Sequence, residues 1–228
     1  MINNILENSA YWGIAVSVAG YGIGVLLNKK LKTGIANPLL ISIVFVIAVL
    51  MVFNIDYEKY RESSEILSWL LTPATVCLAV PLYEQIHLLK KNYKAVMGGI
   101  ISGVFASLIS VALFCLLFGL DKGIEISLLP KSITTAIGMS LADELGGIDT
   151  LAAAAIIVTG IVGNVMCRGV CKIFKITEPV AVGIAIGTSS HAVGTSKAFE
   201  IGEVEGAMSS LSIAVAGIIT VAAIQIFA

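Results

Sequence analysis

The chain has 228 residues, of which 57% are hydrophobic and only 13% charged, and its formal net charge is −1 at pH 7. Soluble domains carry about 25% charged residues, whereas here long apolar stretches alternate with short charged clusters and the mean hydropathy is +0.98. These values exclude a soluble globular enzyme and a disordered chain. The absence of a basic face also excludes a nucleic-acid binder. The segments are continuously apolar and do not alternate with period two, so an all-α polytopic integral membrane protein is predicted in preference to a barrel.

A spanning helix needs about 20 mostly apolar residues. In chain order the candidate spans are Tyr11–Leu27, Ala36–Phe53, Ile66–Tyr83, Ala95–Phe118, Thr150–Cys171, Pro179–Phe199 and Ala207–Phe227. Pro130–Leu145 is too short and too polar for a plain span and reads as a re-entrant or interfacial piece. Including it gives about seven or eight membrane segments in one integral membrane domain, residues 1–228. The start of the chain lacks the basic n-region and small-residue cleavage site of a signal peptide, so its apolar segment is expected to stay. Basic residues follow the first span (Lys29, Lys30, Lys32), the third (Lys90, Lys91, Lys94) and the fifth (Arg168, Lys172, Lys175). The positive-inside rule puts all of them in the cytoplasm of a multi-pass protein of the cell membrane.

A shift of 116 residues lays Ala36–Phe53 on Ala152–Gly169 and Ile66–Tyr83 on Val182–Phe199. The paired spans run in opposite directions by the charge rule. The pattern, 36–118 against 152–228, is either an inverted repeat of the kind found in secondary transporters or generic hydropathy similarity.

Three polar segments interrupt the apolar runs. Thr72-Pro73-Ala74-Thr75 lies inside the third span, with Pro81 beyond it. Proline removes a backbone donor, so the helix should kink there. Thr72 and Thr75 then either cap a structural kink or line a cavity. The second segment runs from Pro130 to Gly147. Pro130 suits a first helical turn, and Ser132, Thr134 and Thr135 crowd that turn into a candidate anion site, with Lys131 adding charge. Asp143 and Glu144, further along, read as a loop cluster or as a proton relay.

The third segment is Gly183 to Lys197. Glycines at 183, 187 and 194 permit close helix approach and broken geometry. Thr188, Ser189, Ser190, His191, Thr195 and Lys197 bring hydroxyls, an imidazole and a cation into a membrane segment. An ionisable group at that depth costs about 2.5–3.5 kcal/mol on insertion scales, which a wet cavity or a partner relieves. An imidazole of unperturbed pKa near ~6.5 suits proton coupling or anion binding. Lys197 and Glu200 are three apart and can pair on one face, as a structural pair or at a substrate. Asn164, beside Gly163, reads first as interhelical packing and second as site lining. The four cysteines, Cys77, Cys115, Cys167 and Cys171, read as small core hydrophobes, and no metal site or cofactor is expected.

The stretches Pro130-Lys131-Ser132-Ile133-Thr134-Thr135, on through Gly146-Gly147, and "GTSSHAVGTSKAFEIGEVEGA" from Gly187 to Ala207 resemble the LrgB/CidB family. With Pro81-Leu82-Tyr83 the likeness covers about residues 70–228. Members commonly carry an Ala-His-Gly-type triplet where this chain has His191-Ala192-Val193. The departure changes a small residue and keeps the histidine. The resemblance implies an antiholin-like role in controlling murein hydrolases and autolysis. It also implies transport of small carboxylates such as pyruvate, glycolate or glycerate, and a separately encoded partner, a small LrgA/CidA-like membrane protein.

Two functions therefore compete. The first is a secondary transporter of a small monocarboxylate, coupled to protons. Its site would be built from Ser132, Thr134, Thr135, Thr188, Ser189, Ser190, His191, Thr195 and Lys197, with Thr72 and Thr75 opposite. His191, Asp143, Glu144 and Glu200 are the coupling candidates. The second is an antiholin-like regulator whose polar segments seal helix joints. A homo-oligomer is expected in either case. No Gly-x-Ser-x-Gly elbow accompanies the serines near His191, so no enzyme is expected.

Overall fold

A computed structural model describes residues 11–31, 38–70, 73, 76, 77, 79–84 and 86–227. Among them the protein is all-helical, with no strand. Helices long and apolar enough to cross a membrane cover Trp12–Leu31, Lys90–Phe118, Asp149–Ile173 and Glu203–Ile226, and Pro38–Phe53 is a shorter apolar helix. The chain forms two compact units, Met1–Cys77 and Leu78–Ala228.

The first unit contains α1 (Trp12–Leu31), α2 (Pro38–Phe53) and the short α3 (Tyr57–Ser63) and α4 (Glu65–Trp69). Asp56 caps α3 by accepting a 2.8 Å hydrogen bond from the Glu58 amide, the usual way an acidic residue satisfies a first-turn donor. Tyr60 on α3 ties back to α1. Its ring meets Trp12 edge-on at 5.8 Å, and its hydroxyl lies 2.8 Å from Ser17 Oγ. Thr72 and Thr75 lie outside the described residues.

The second unit contains α5 (Ala79–Glu84), α6 (Ile86–Phe118), α7 (Lys122–Leu128), α8 (Thr135–Glu144), α9 (Asp149–Ile173), α10 (Pro179–Ile201) and α11 (Glu203–Ala223), closed by a 3-10 turn at Ile224–Ile226. Val96, Ile100, Val104, Leu108, Val111 and Cys115 recur every three or four residues on α6 and are all buried. This stripe is one helix face. It packs with Leu129, Ile133, Met208 and Ile224 into the main core. The four cysteines are free thiols.

Between α6 and α9 the chain makes no full crossing helix. Helices α7 and α8 are 7 and 10 residues long, while a bilayer core about 30 Å thick needs twice the longer of them. Pro130 does not open a helix as expected. It follows α7 in a turn, where its carbonyl accepts from Ile133 at 3.2 Å, and α8 begins only after Thr134.

Candidate functional site

Helix α10 starts by the rules of its sequence. Pro179 occupies the first turn, and the Glu178 carboxylate accepts the Ala181 amide at 2.8 Å. The helix then breaks at His191, whose φ of 41° and ψ of −142° are non-helical. A residue with a β-carbon enters that region only at a cost of about 1–3 kcal/mol. Two bonds from α9 hold it there. His191 Nε2 lies 2.9 Å from the Ile156 carbonyl, and Asn164 Nδ2 donates to the Val193 carbonyl at 2.8 Å. Gly160 brings α9 against the ring: a β-carbon there would lie 2.7 Å from His191 Nε2. Asn164 Nδ2 also donates to Ser196 Oγ at 3.4 Å, and replacing Asn164 by leucine should cost about 1–3 kcal/mol, because the Val193 carbonyl loses its donor. It should also speed amide exchange over residues 191–196 in a hydrogen-exchange experiment, and unchanged exchange there would rule out this anchoring.

Two cavities flank the first half of α10. The larger, about 960 Å³, lies against α6 and is lined by Gly99, Ser107, Lys131, Ser132, Thr188 and Ser189, among others. Its volume is within the usual range for ligand sites, about 300–1,000 Å³. The smaller, about 520 Å³, lies against α9, with Thr159, Gly163, Cys167 and Ser190 in its wall. Lys131, Ala185 and Ser189 belong to both linings.

Lys131 is fixed by hydroxyls. Its Nζ donates to Ser132 Oγ at 3.1 Å and to Ser107 Oγ at 3.3 Å, and the two hydroxyls are 3.2 Å apart. Burial holds this ammonium below its ordinary pKa.

The polar residues expected at the site divide into those that line a cavity and those that line none. Ser132, Thr188 and Ser189 line the larger cavity, and Ser189 and Ser190 the smaller. His191 and Thr195 line neither. They are 3% and 1% exposed, and Thr195 Oγ1 lies 2.7 Å from Ser209 Oγ on α11. Thr134 and Thr135 flank the start of α8, away from both linings. Lys197 pairs with Glu200. Asp143 and Glu144 are exposed at the end of α8. The sequence reading missed Ser102, Ser107 and Ser110 on α6, which also line the larger cavity. Their signal was available in the spacing Gly99, Ser102, Gly103, Ala106, Ser110, a small-residue stripe at helical period inside an apolar span.

Membrane-length helices α6, α9 and α11 packed round the broken α10, with cavities on either side of its first half, define a polytopic helical membrane protein. Residues 17–228 match the LrgB-like family, and the chain belongs to that family. It is 39% identical over 220 residues to the antiholin-like protein LrgB of Bacillus subtilis (strain 168), covering 96% of this chain and 95% of the relative. The antiholin-like protein LrgB of Bacillus cereus (strain B4264) is 37% identical over 218 residues, 95% of each chain. No solved structure matches.

Proposed function

We propose that the chain is an antiholin-like protein of the cytoplasmic membrane that restrains murein hydrolase export or activity, together with a small LrgA/CidA-like membrane partner and in a homo-oligomer. The supporting observation is the near-full-length similarity to relatives that carry the antiholin-like name. The chain makes and breaks no bond in this role. Deleting its gene should raise the rate of detergent-induced lysis and the extracellular murein hydrolase activity seen on zymograms. Unchanged lysis and zymograms would count against regulation.

A second reading has its own support in the broken α10 and the cavities beside it. Broken helices at membrane depth are the usual substrate elements of secondary transporters, and simple sealing of helix joints does not call for open volume. In this reading the chain carries a small monocarboxylate such as pyruvate, glycolate or glycerate, coupled to protons through His191, which is buried next to Ser190 of the smaller cavity's wall and not in a wall itself. Reconstituted liposomes should then show saturable uptake that a pH gradient accelerates, and His191→Ala should flatten the pH dependence. Absence of uptake of all three acids, with and without the partner, would dismiss the carrier. Uptake with intact pH dependence in the His191 variant would dismiss only the coupling role.

A further inference from the structure

We propose that Lys131, clasped by Ser107 and Ser132, is the anion-binding centre of this chain, a single cation presented to both cavities that takes the carboxylate of a small monoanion. The assignment rests on the carrier reading for the class of ligand, and it relocates the binding contact from the start of α8 to the turn before it.

Charge compensation is the first reason. Lys131 has no carboxylate within ion-pair distance among the described residues. Its partners are two neutral hydroxyls. The other ionisable side chains in the two linings are Glu178 and the thiols Cys167 and Cys171. A desolvated cation without a counter-charge is costly, and a cavity beside it lets a mobile anion supply that charge. Lys197 is the contrasting case, because Glu200 already neutralises it.

Geometry is the second reason. Lys131, Ala185 and Ser189 are common to both linings, so the same ammonium serves the space on the α6 side and the space on the α9 side of α10. An anion held there touches the residues common to both linings. The serine hydroxyls can turn their protons toward a carboxylate oxygen, since hydroxyl rotors adjust to the acceptor present. The hydroxyls expected to bind the anion at the start of α8 have no comparable space, because Thr134 and Thr135 line neither cavity.

The test uses the full chain in lipid nanodiscs, labelled pyruvate as probe, and uncharged methyl pyruvate as competitor. The wild type should bind pyruvate saturably, and methyl pyruvate should not displace it. Lys131→Met should weaken binding by about tenfold or more, the size of a lost hydrogen bond to a charged group, while Lys131→Arg should stay within a few-fold. A second measurement needs no variant: acetylation of Lys131 by a small amine-reactive reagent, read by mass spectrometry, should slow with pyruvate and not with methyl pyruvate. Binding by a folded Lys131→Met chain at wild-type strength would overturn the assignment, as would no pyruvate binding by the wild type or no protection of Lys131. Pyruvate bound at Lys131 without uptake in liposomes would sink the carrier reading alone. Uptake unaffected by Lys131→Met would sink the binding centre alone.

Discussion

Gly187→Leu is expected to destabilise the second unit by more than about 3 kcal/mol, the upper end of the usual range for overpacking. A β-carbon at Gly187 would lie 2.8 Å from Ser209 Cα and 2.8 Å from Ser212 Cβ, closer than real β-carbons come. The obstacle is the backbone of α11, so no rotamer change can relieve it. If α11 backs away, it also strains the buried 2.7 Å contact between Ser209 and Thr195 and opens the core around Met208, which is fully buried. Gly98→Leu is the matched control, since nothing lies within 4 Å of a β-carbon there, and leucine is the better helix former by about 0.8 kcal/mol. The assay is thermal unfolding in detergent, followed by a thiol-reactive dye that reports exposure of the buried Cys115 and Cys167. The Gly187 variant should melt about 6–12 °C lower, as about 3 kcal/mol does for a chain of this size, while the Gly98 variant stays near the wild type. Equal shifts for both would show that α10 and α11 are not in backbone contact at Gly187.

The contrast between these two glycines marks the limit of what the sequence discloses. Composition and run length lead to an all-helical membrane protein, because backbone groups in lipid must be satisfied within the segment. The glycine- and hydroxyl-rich run around residues 183–197 likewise announces an irregular α10. The residue at which it breaks is another matter. Local chemistry favours a glycine, yet the break falls on His191 because Ile156 and Asn164, 35 and 29 residues away along the chain from their partners, bind the segment from α9. Such long-range pinning overrides local preference and leaves no local trace. Lys131 shows a related limit. Its position after Pro130 invites a helix-terminus role, but its partner Ser107 comes from α6, 24 residues earlier. Thr134 and Thr135 follow the same turn and still miss the cavities, because α8 starts after the turn and not at the proline.

Substitution of His191 separates pinning from ordinary helix packing by the sign of one difference. His191→Ala removes the 2.9 Å contact to the Ile156 carbonyl and leaves a void where a side chain that is 3% exposed had packed. The lost bond and the void together should cost about 2–3 kcal/mol. The alanine must still adopt the φ of 41°, so the backbone strain stays. His191→Gly loses the same ring and also removes the strain, since glycine enters positive φ freely. Inside a continuous helix glycine is worse than alanine by about 0.5–1 kcal/mol. At this break the order should invert, with the glycine variant more stable than the alanine variant by about 1 kcal/mol, the strain relief exceeding glycine's entropic penalty. The comparison is made by the same thiol-reporter melting curves, on the two variants side by side. An alanine variant that outlasts the glycine variant would mean that α10 runs unbroken through residue 191, and the half-helix on which the carrier reading rests would be gone.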